Sequence, residues 1–88
     1  MSKAIANLDD LKRLQGSVRK TEEQITQAIK QLHRELDRAD WDDHAKRNFE
    51  SKLKDATSSV QRASQRLHEL QPILQRSIND LNTYLRRS

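Results

Sequence analysis

The sequence contains no cysteine, one glycine, one proline and few aromatic residues. The absence of cysteine excludes disulfides, thiol nucleophiles and cysteine-based zinc sites. The scarcity of glycine and proline favours long uninterrupted helices. No apolar run approaches the ~18 residues of a membrane span, and residues 1–7 lack the apolar segment of a signal peptide. We therefore expect a protein that is cytoplasmic before any export and is secreted, if at all, without a cleaved signal peptide.

The 88 residues are 33% hydrophobic and 34% charged, so the chain cannot build a large core of its own. It must be elongated and helical, fold with a partner, or be partly disordered. The net charge is +4, with the excess in the second half. Because the basic residues are spread out and interspersed with acids, we interpret them as a solvated helix surface. Neither nucleic acid nor a membrane is the expected partner.

The second half carries a heptad pattern over about five repeats. Apolar or small residues alternate at spacings of four and three: Phe49, Leu53, Ala56, Val60, Ala63, Leu67, Leu70, Leu74, Ser77, Leu81 and Tyr84. This spacing predicts helix-on-helix packing with a left-handed supercoil. Pro72 removes a backbone donor and clashes with the carbonyl of His68. We expect one helix over about residues 44–86, kinked near Pro72.

The first half carries a looser seven-residue repeat. Its members are Leu11, Val18, Ile25, Leu32 and Ala39, joined by Leu14 and Ala28 and widened by Ile5, Leu8, Ile29 and Leu36. Gly16, Thr21 and Glu22 weaken the middle of the stripe. A single internal glycine costs only about 1 kcal/mol relative to alanine. We therefore predict a continuous helix over about residues 3–39.

The only tryptophan, Trp41, lies between the two patterns in an acidic segment with Asp40, Asp42 and Asp43. A large apolar side chain at a turn normally pins it to a core or a partner. We predict a turn over residues 40–43, with the aspartates capping the next helix. Folding there makes the helices antiparallel. The implied pairs are Leu36 with Lys46, Ile29 with Leu53, Val18 with Ser64 and Leu8 with Leu74, and the last eight residues overhang.

The fold prediction is an all-α, antiparallel two-helix hairpin in a single domain over residues 1–88, assembling as a dimeric four-helix bundle. When the apolar stripes of two helices face only each other, the residues at the edges of each stripe stay exposed to solvent. A domain this small usually needs oligomerisation to be stable. The predicted partner is a second copy or another helical protein. The residues predicted for the hairpin and dimer interfaces are Leu11, Leu14, Val18, Ile25, Ile29, Leu32, Leu36, Leu53, Ala56, Val60, Ala63, Leu67, Leu70, Leu74 and Leu81.

The sequence offers little catalytic chemistry. The histidines, His33, His44 and His68, have no metal-ligand spacing. The acidic pairs are adjacent in sequence, and such neighbours do not converge on a helix. There is no glycine-rich phosphate loop and no nucleophile motif. We predict a non-enzyme without a catalytic site, metal or cofactor.

Two helices joined by a tryptophan turn, with Phe49 eight residues after Trp41, resemble the WXG100 (ESAT-6-like) family. Trp41-Asp42-Asp43 stands where the family has Trp-x-Gly, and Asp43 can still adopt a turn because aspartate tolerates positive φ. The resemblance implies that Trp41, Asp43 and Phe49 organise the turn. It also makes Tyr84 a possible export-tail residue, although Ser88 stands where the family has an acid.

The resemblance further implies a secreted substrate, or an adaptor or partner, of a type VII-like secretion system, acting through dimerisation. The partner would be a second copy, another small helical protein or the helical N-terminal domain of a larger effector. Two alternatives stay open. The chain could be a coiled-coil assembly protein that resembles type III needle subunits, or a basic hairpin that binds nucleic acid.

Overall fold

The computed structural model describes residues 6–87, with only the backbone of Arg87 included. Three helices fill this range: α1 (Leu8–Arg38), α2 (His44–His68) and α3 (Leu70–Arg87). No strand occurs within it. The helix α1 packs antiparallel against α2 and α3, giving a rod of 68 × 18 × 18 Å. The predicted all-α, hairpin-like architecture is confirmed.

The start of α1 is fixed by Asn7. Its backbone is extended (φ −82°, ψ 123°), and its side chain accepts a hydrogen bond from the backbone N–H of Asp10. This cap satisfies one of the free donors of the first turn, and Asp9 and Asp10 complement the helix dipole. The helix therefore begins at Leu8, whereas the sequence predicted a start near residue 3. Residues 1–5 lie outside the described part of the chain.

The turn is extended at both ends. Ala39 has φ −65° and ψ 133°, and Asp43 has φ −147° and ψ −175°. Because an extended residue spans ~3.3 Å and a helical residue only ~1.5 Å, this segment carries the chain well past the end of α1. The first turns of α2 consequently project beyond α1, and the loop residue Trp41 packs there.

The extended turn shifts the pairing of the helices from the predicted register. Opposing Val18 to Ser64 would place Gln15 level with Leu67. Instead, the side chain of Gln15 donates a hydrogen bond to Gln75, at 2.9 Å. Because Gln71 also donates a hydrogen bond to the backbone carbonyl of Gln15, the shift is four to eight residues, or ~6–12 Å along a helix.

The same register brings Leu8 level with Asn82, and both residues are half-buried. Residues 83–87 therefore extend past the start of α1, so most of the predicted C-terminal overhang is kept.

A break at Glu69 separates α2 from α3, where the sequence predicted one kinked helix. The N–H of Glu69 still donates to the carbonyl of Gln65, at 3.1 Å, and its φ and ψ (−67°, −14°) remain near the helical region. Pro72, three residues later, has no N–H to donate to His68 and its ring crowds that carbonyl. The break is thus local, and α3 continues along α1.

The core is thin. Ile78 on α3, with 4% of its surface exposed, is the one buried residue among the described residues. The molecule exposes 7266 Å², whereas a compact protein of 10.3 kDa exposes about 5,400 Å². The excess surface reflects the elongated shape of the rod.

Candidate interaction surface

One side of the hairpin carries an apolar groove between α1 and α2. Its lining residues are Ile25, Ala28, Ile29, Leu32, Leu53, Ala56, Thr57 and Val60. Leu32 and Val60 are exposed despite their size. Ala28 and Ala56 have no side chain beyond Cβ, so they leave room in this open groove for larger side chains from a second helix.

The apolar surface continues along α2 beyond this groove. Ala56, Ala63 and Leu70 are seven residues apart and therefore follow one line along the helix. Ala63, Leu67 and Leu70 line a second, shallow depression together with Ser59, Arg62 and Arg66. We call the exposed apolar residues Ala28, Leu32, Ala56, Val60, Ala63 and Leu70 the apolar face.

The opposite side of the hairpin is polar. The groove there is lined by Glu22, Thr26, Lys30, Gln61, Ser64, Gln65 and His68, with Ile25 and Ile29 at its floor. Towards the other end, Arg19, Gln71 and Gln75 continue this polar groove. The two sides of the rod therefore differ, since only one presents a continuous apolar surface to solvent.

Polar side chains lie between the helices themselves. Besides the Gln15–Gln75 hydrogen bond, the amide of Gln71 donates to the backbone carbonyl of Gln15, at 3.3 Å. Glu22 is largely buried, with 19% of its side chain exposed, and pairs with Nδ1 of His68 at 3.0 Å. A pair with one buried member adds little net stability. These contacts specify the register more than they strengthen the hairpin.

The predicted interface residues divide into two groups. Those half-buried between the helices of the hairpin are Leu11, Val18, Ile25, Ile29, Leu36, Leu53, Leu67, Leu74 and Leu81. Those exposed are Leu14, Leu32, Ala56, Val60, Ala63 and Leu70. Four residues that the sequence reasoning did not select, Thr57, Ser64, Gln71 and Ile78, face α1 in their place. These four residues are themselves seven residues apart, and that spacing is the sequence signal that could have identified them.

The turn is organised by an aromatic pair and a helix cap. The rings of Trp41 and Phe49 lie 5.6 Å apart at a tilt of 54°. Trp41 is half-buried, whereas Phe49 is 42% exposed. A carboxylate oxygen of Asp43 accepts a hydrogen bond from the N–H of Lys46, at 3.0 Å. The φ of Asp43 is negative. The turn therefore does not use the positive φ that the sequence analysis considered for Asp43 at the family's glycine position.

The two residues predicted for an export tail are Tyr84 and Ser88. Tyr84 is 54% exposed on α3, and Ser88 lies outside the described residues. Within residues 6–87, no group of three or more histidine, aspartate or glutamate residues is placed to hold a metal ion. No helix in that range has the length and apolarity needed to cross a membrane.

Comparisons of the chain with protein-family models, with curated proteins and with solved structures found no match.

Proposed function

We propose that the protein is a non-enzymatic helical-hairpin interaction protein that pairs its apolar face with another helical hairpin in a four-helix bundle. The observation that carries this proposal is the exposed groove of Ala28, Leu32, Ala56 and Val60. The hairpin half-buries one set of apolar residues between its own helices and leaves these four in water. A partner helix would cover them and gain ~25 cal/mol per Å² of apolar surface removed from solvent.

The thin core supports the same proposal. With Ile78 alone buried among the described residues, the hairpin lacks the burial that usually stabilises a domain of this size. The surface in excess of a compact fold is about 1,900 Å². A stable protein interface buries about 1,200–2,000 Å² in total, so the molecule has enough spare surface for one.

We further propose that this hairpin acts as a WXG100-like substrate or adaptor of a type VII-like secretion system. The supporting features are the tryptophan turn and the contact of Trp41 with Phe49. Export is tested by detecting the tagged chain in the culture medium of its source organism, with and without the secretion ATPase. Export that depends on the ATPase, or retention of an exported partner when the gene is deleted, supports the proposal. If neither effect is observed, the proposal is contradicted.

Assembly is tested by sedimentation of the full chain across the micromolar range, alone and mixed with synthetic amphipathic helical peptides. We expect assembly in at least one of these conditions. Val60→Glu should abolish it by placing a charge in the apolar groove, whereas Gln61→Glu, on the polar groove, should preserve it. A cooperatively folded monomer that binds no helical peptide contradicts the proposal.

A further inference from the structure

We infer that α2 and α3 have a second way to pack against α1, in which both helices turn by about 50° about their own axes and α1 covers part of the apolar face. This inference goes beyond the proposed function, because it concerns how the hairpin itself opens or closes that face. It follows from which rows of residues on α2 and α3 face α1 and which face solvent.

The helices α2 and α3 carry two overlapping heptad seams that share one row of apolar residues. The shared row is Leu53, Val60, Leu67, Leu74 and Leu81. The inner row, four residues after each of the first four, faces α1 and is buried or half-buried: Thr57, Ser64, Gln71 and Ile78. The outer row, three residues after each of the first four, is exposed: Ala56, Ala63, Leu70 and Ser77. In a heptad helix these rows lie about 50° to either side of the shared row, so a rotation of about 50° exchanges the two seams.

The inner row is the more polar of the two. Three of its four members carry a hydroxyl or amide group, and Ile78 is its one aliphatic residue. Three members of the outer row are aliphatic, and Ser77 is its one polar residue. Burial of aliphatic groups is favourable, whereas burial of polar groups costs free energy unless hydrogen bonds compensate. The residue types alone therefore favour the outer row at the contact with α1, although Ile78 partly offsets this preference.

Hydrogen bonds between the helices select the inner row instead. His68 pairs with Glu22, at 3.0 Å. The side chain of Gln15 donates to Gln75, at 2.9 Å, and its backbone carbonyl accepts from Gln71, at 3.3 Å. Gln71 belongs to the inner row, and His68 and Gln75 lie beyond it, each four residues after one of its members. Turning the outer row inward would carry all three side chains away from α1 and break these contacts.

The choice between the two packings is one that a bound partner can control. Because a side-chain hydrogen bond contributes little net stability, a few such bonds give the observed packing only a modest advantage. A partner helix on the apolar face contacts Ala56 and Ala63 only in the observed packing, so it shifts the population towards that packing. Rotation of α2 and α3 thereby couples the hydrogen bonds on the polar side of the hairpin to the opening of the apolar face.

Two adjacent positions report the rotation, because the chain contains no cysteine of its own. Ala63→Cys places a thiol on the outer row, and Ser64→Cys places one on the inner row. Each variant is labelled with a neutral maleimide below the concentration at which the chain associates, and its rate is divided by its own rate in urea. We call the rate at position 63 divided by the rate at position 64 the labelling ratio. The observed packing predicts faster labelling at position 63, because Ala63 is exposed and Ser64 is half-buried.

Removing hydrogen bonds from the observed packing should lower the labelling ratio. His68→Ala with Gln75→Ala deletes two of the contacts to α1. The loss of two hydrogen bonds of ordinary net strength predicts a fall of about tenfold. Gln61→Ala with Gln65→Ala is the matched control, since both residues are exposed on the polar groove, and it should leave the ratio unchanged.

A second variant strengthens the alternative seam and leaves the observed contacts in place. Ser77 is exposed on the outer row, so Ser77→Leu adds apolar surface that α1 covers only after the rotation. Burial of one leucine predicts a fall in the labelling ratio of about tenfold. Ser51→Leu makes the same substitution at an exposed position of α2 outside both seams, and it should have no effect.

The outcomes separate this inference from the proposed function. An unchanged labelling ratio in both the double variant and Ser77→Leu, with circular dichroism showing that both remain helical, overturns the second packing and leaves helical pairing intact. If both thiols of the Ser77→Leu chain react at their rates in urea, the helices have separated rather than turned, and the inference is also wrong.

A bound helix provides the last arm of the test. In the double variant, a synthetic amphipathic helical peptide that binds the apolar face should restore the protection of the thiol at position 64, because it draws the chain back to the observed packing. Binding that leaves this thiol accessible overturns the coupling. Absence of both peptide binding and self-association contradicts the proposed function, whereas the labelling ratio of the free chain still decides between one packing and two.

Discussion

Replacing Trp41 with alanine removes the side chain that covers the first turns of α2, where α1 no longer reaches. A tryptophan buries about 150–250 Å² when fully packed, and Trp41 is half-buried. Losing ~100 Å² of buried apolar surface costs ~2.5 kcal/mol at ~25 cal/mol per Å². The contact with the Phe49 ring adds ~0.5–1.5 kcal/mol. We expect the free energy of unfolding to fall by about 3 kcal/mol.

The assay is urea unfolding followed by circular dichroism, at one fixed protein concentration because association adds to apparent stability. Trp41→Phe is the matched control, since it keeps an aromatic ring and should recover more than half of the loss. A double-mutant cycle with Phe49→Ala should give a coupling energy of ~0.5–1.5 kcal/mol. A loss below ~0.5 kcal/mol for Trp41→Ala is typical of an exposed surface change. That result would refute the packing role and mark Trp41 as a recognition residue.

Three further substitutions test local features of the hairpin, each by urea unfolding. Asp43→Ala removes the N-cap of α2 and should destabilise the protein by ~1 kcal/mol, whereas an unchanged midpoint would show that the cap contributes nothing. Gly16→Ala should stabilise α1 by ~1 kcal/mol, because no atom beyond the neighbouring residues and the local helix backbone lies within 4 Å of the added Cβ; a loss of stability would reveal a required bend. Glu22→Leu places an apolar side chain between the helices and should stabilise by ~1 kcal/mol, since the lost partner, His68, is 70% exposed. Glu23→Leu, at the neighbouring exposed position, should not, and an equal gain there would contradict this explanation.

The helices and the turn follow from the sequence because their signals are local. The heptad spacing of Leu53, Leu67 and Leu81 predicts a long helix whichever partner it meets. The acidic segment around Trp41 predicts the interruption, since aspartate favours caps and turns over helix interiors. Both signals depend on residues within a few positions of one another.

The register depends on the path of the loop, which local patterns do not define. A compact turn would place Gln15 level with Leu67, but the extended backbone at Ala39 and Asp43 moves its partners to Gln71 and Gln75. No residue in the turn dictates how far the chain rises before it reverses.

The division of the apolar residues between two partners also lay beyond the sequence. The width of an apolar stripe indicates how many residues are buried by packing, but not which of them contact α1. The sequence pattern predicts Ala56 and Ala63 in the hairpin interface. In the structure Thr57 and Ser64 occupy that interface, and the two alanines face outward. The surface that carries the proposed function is therefore visible only when the register is known.

The central claim is that a helical partner covers the apolar face, and the absence of cysteine from the chain allows it to be tested with site-specific probes. An environment-sensitive fluorophore is attached at Ser59→Cys, beside the apolar face, or at Gln61→Cys, on the polar groove. On addition of a synthetic amphipathic helical peptide that binds the chain, emission at position 59 should shift to the blue, and emission at position 61 should stay unchanged. A shift at position 61 without one at position 59, or no shift at either position, would contradict the account.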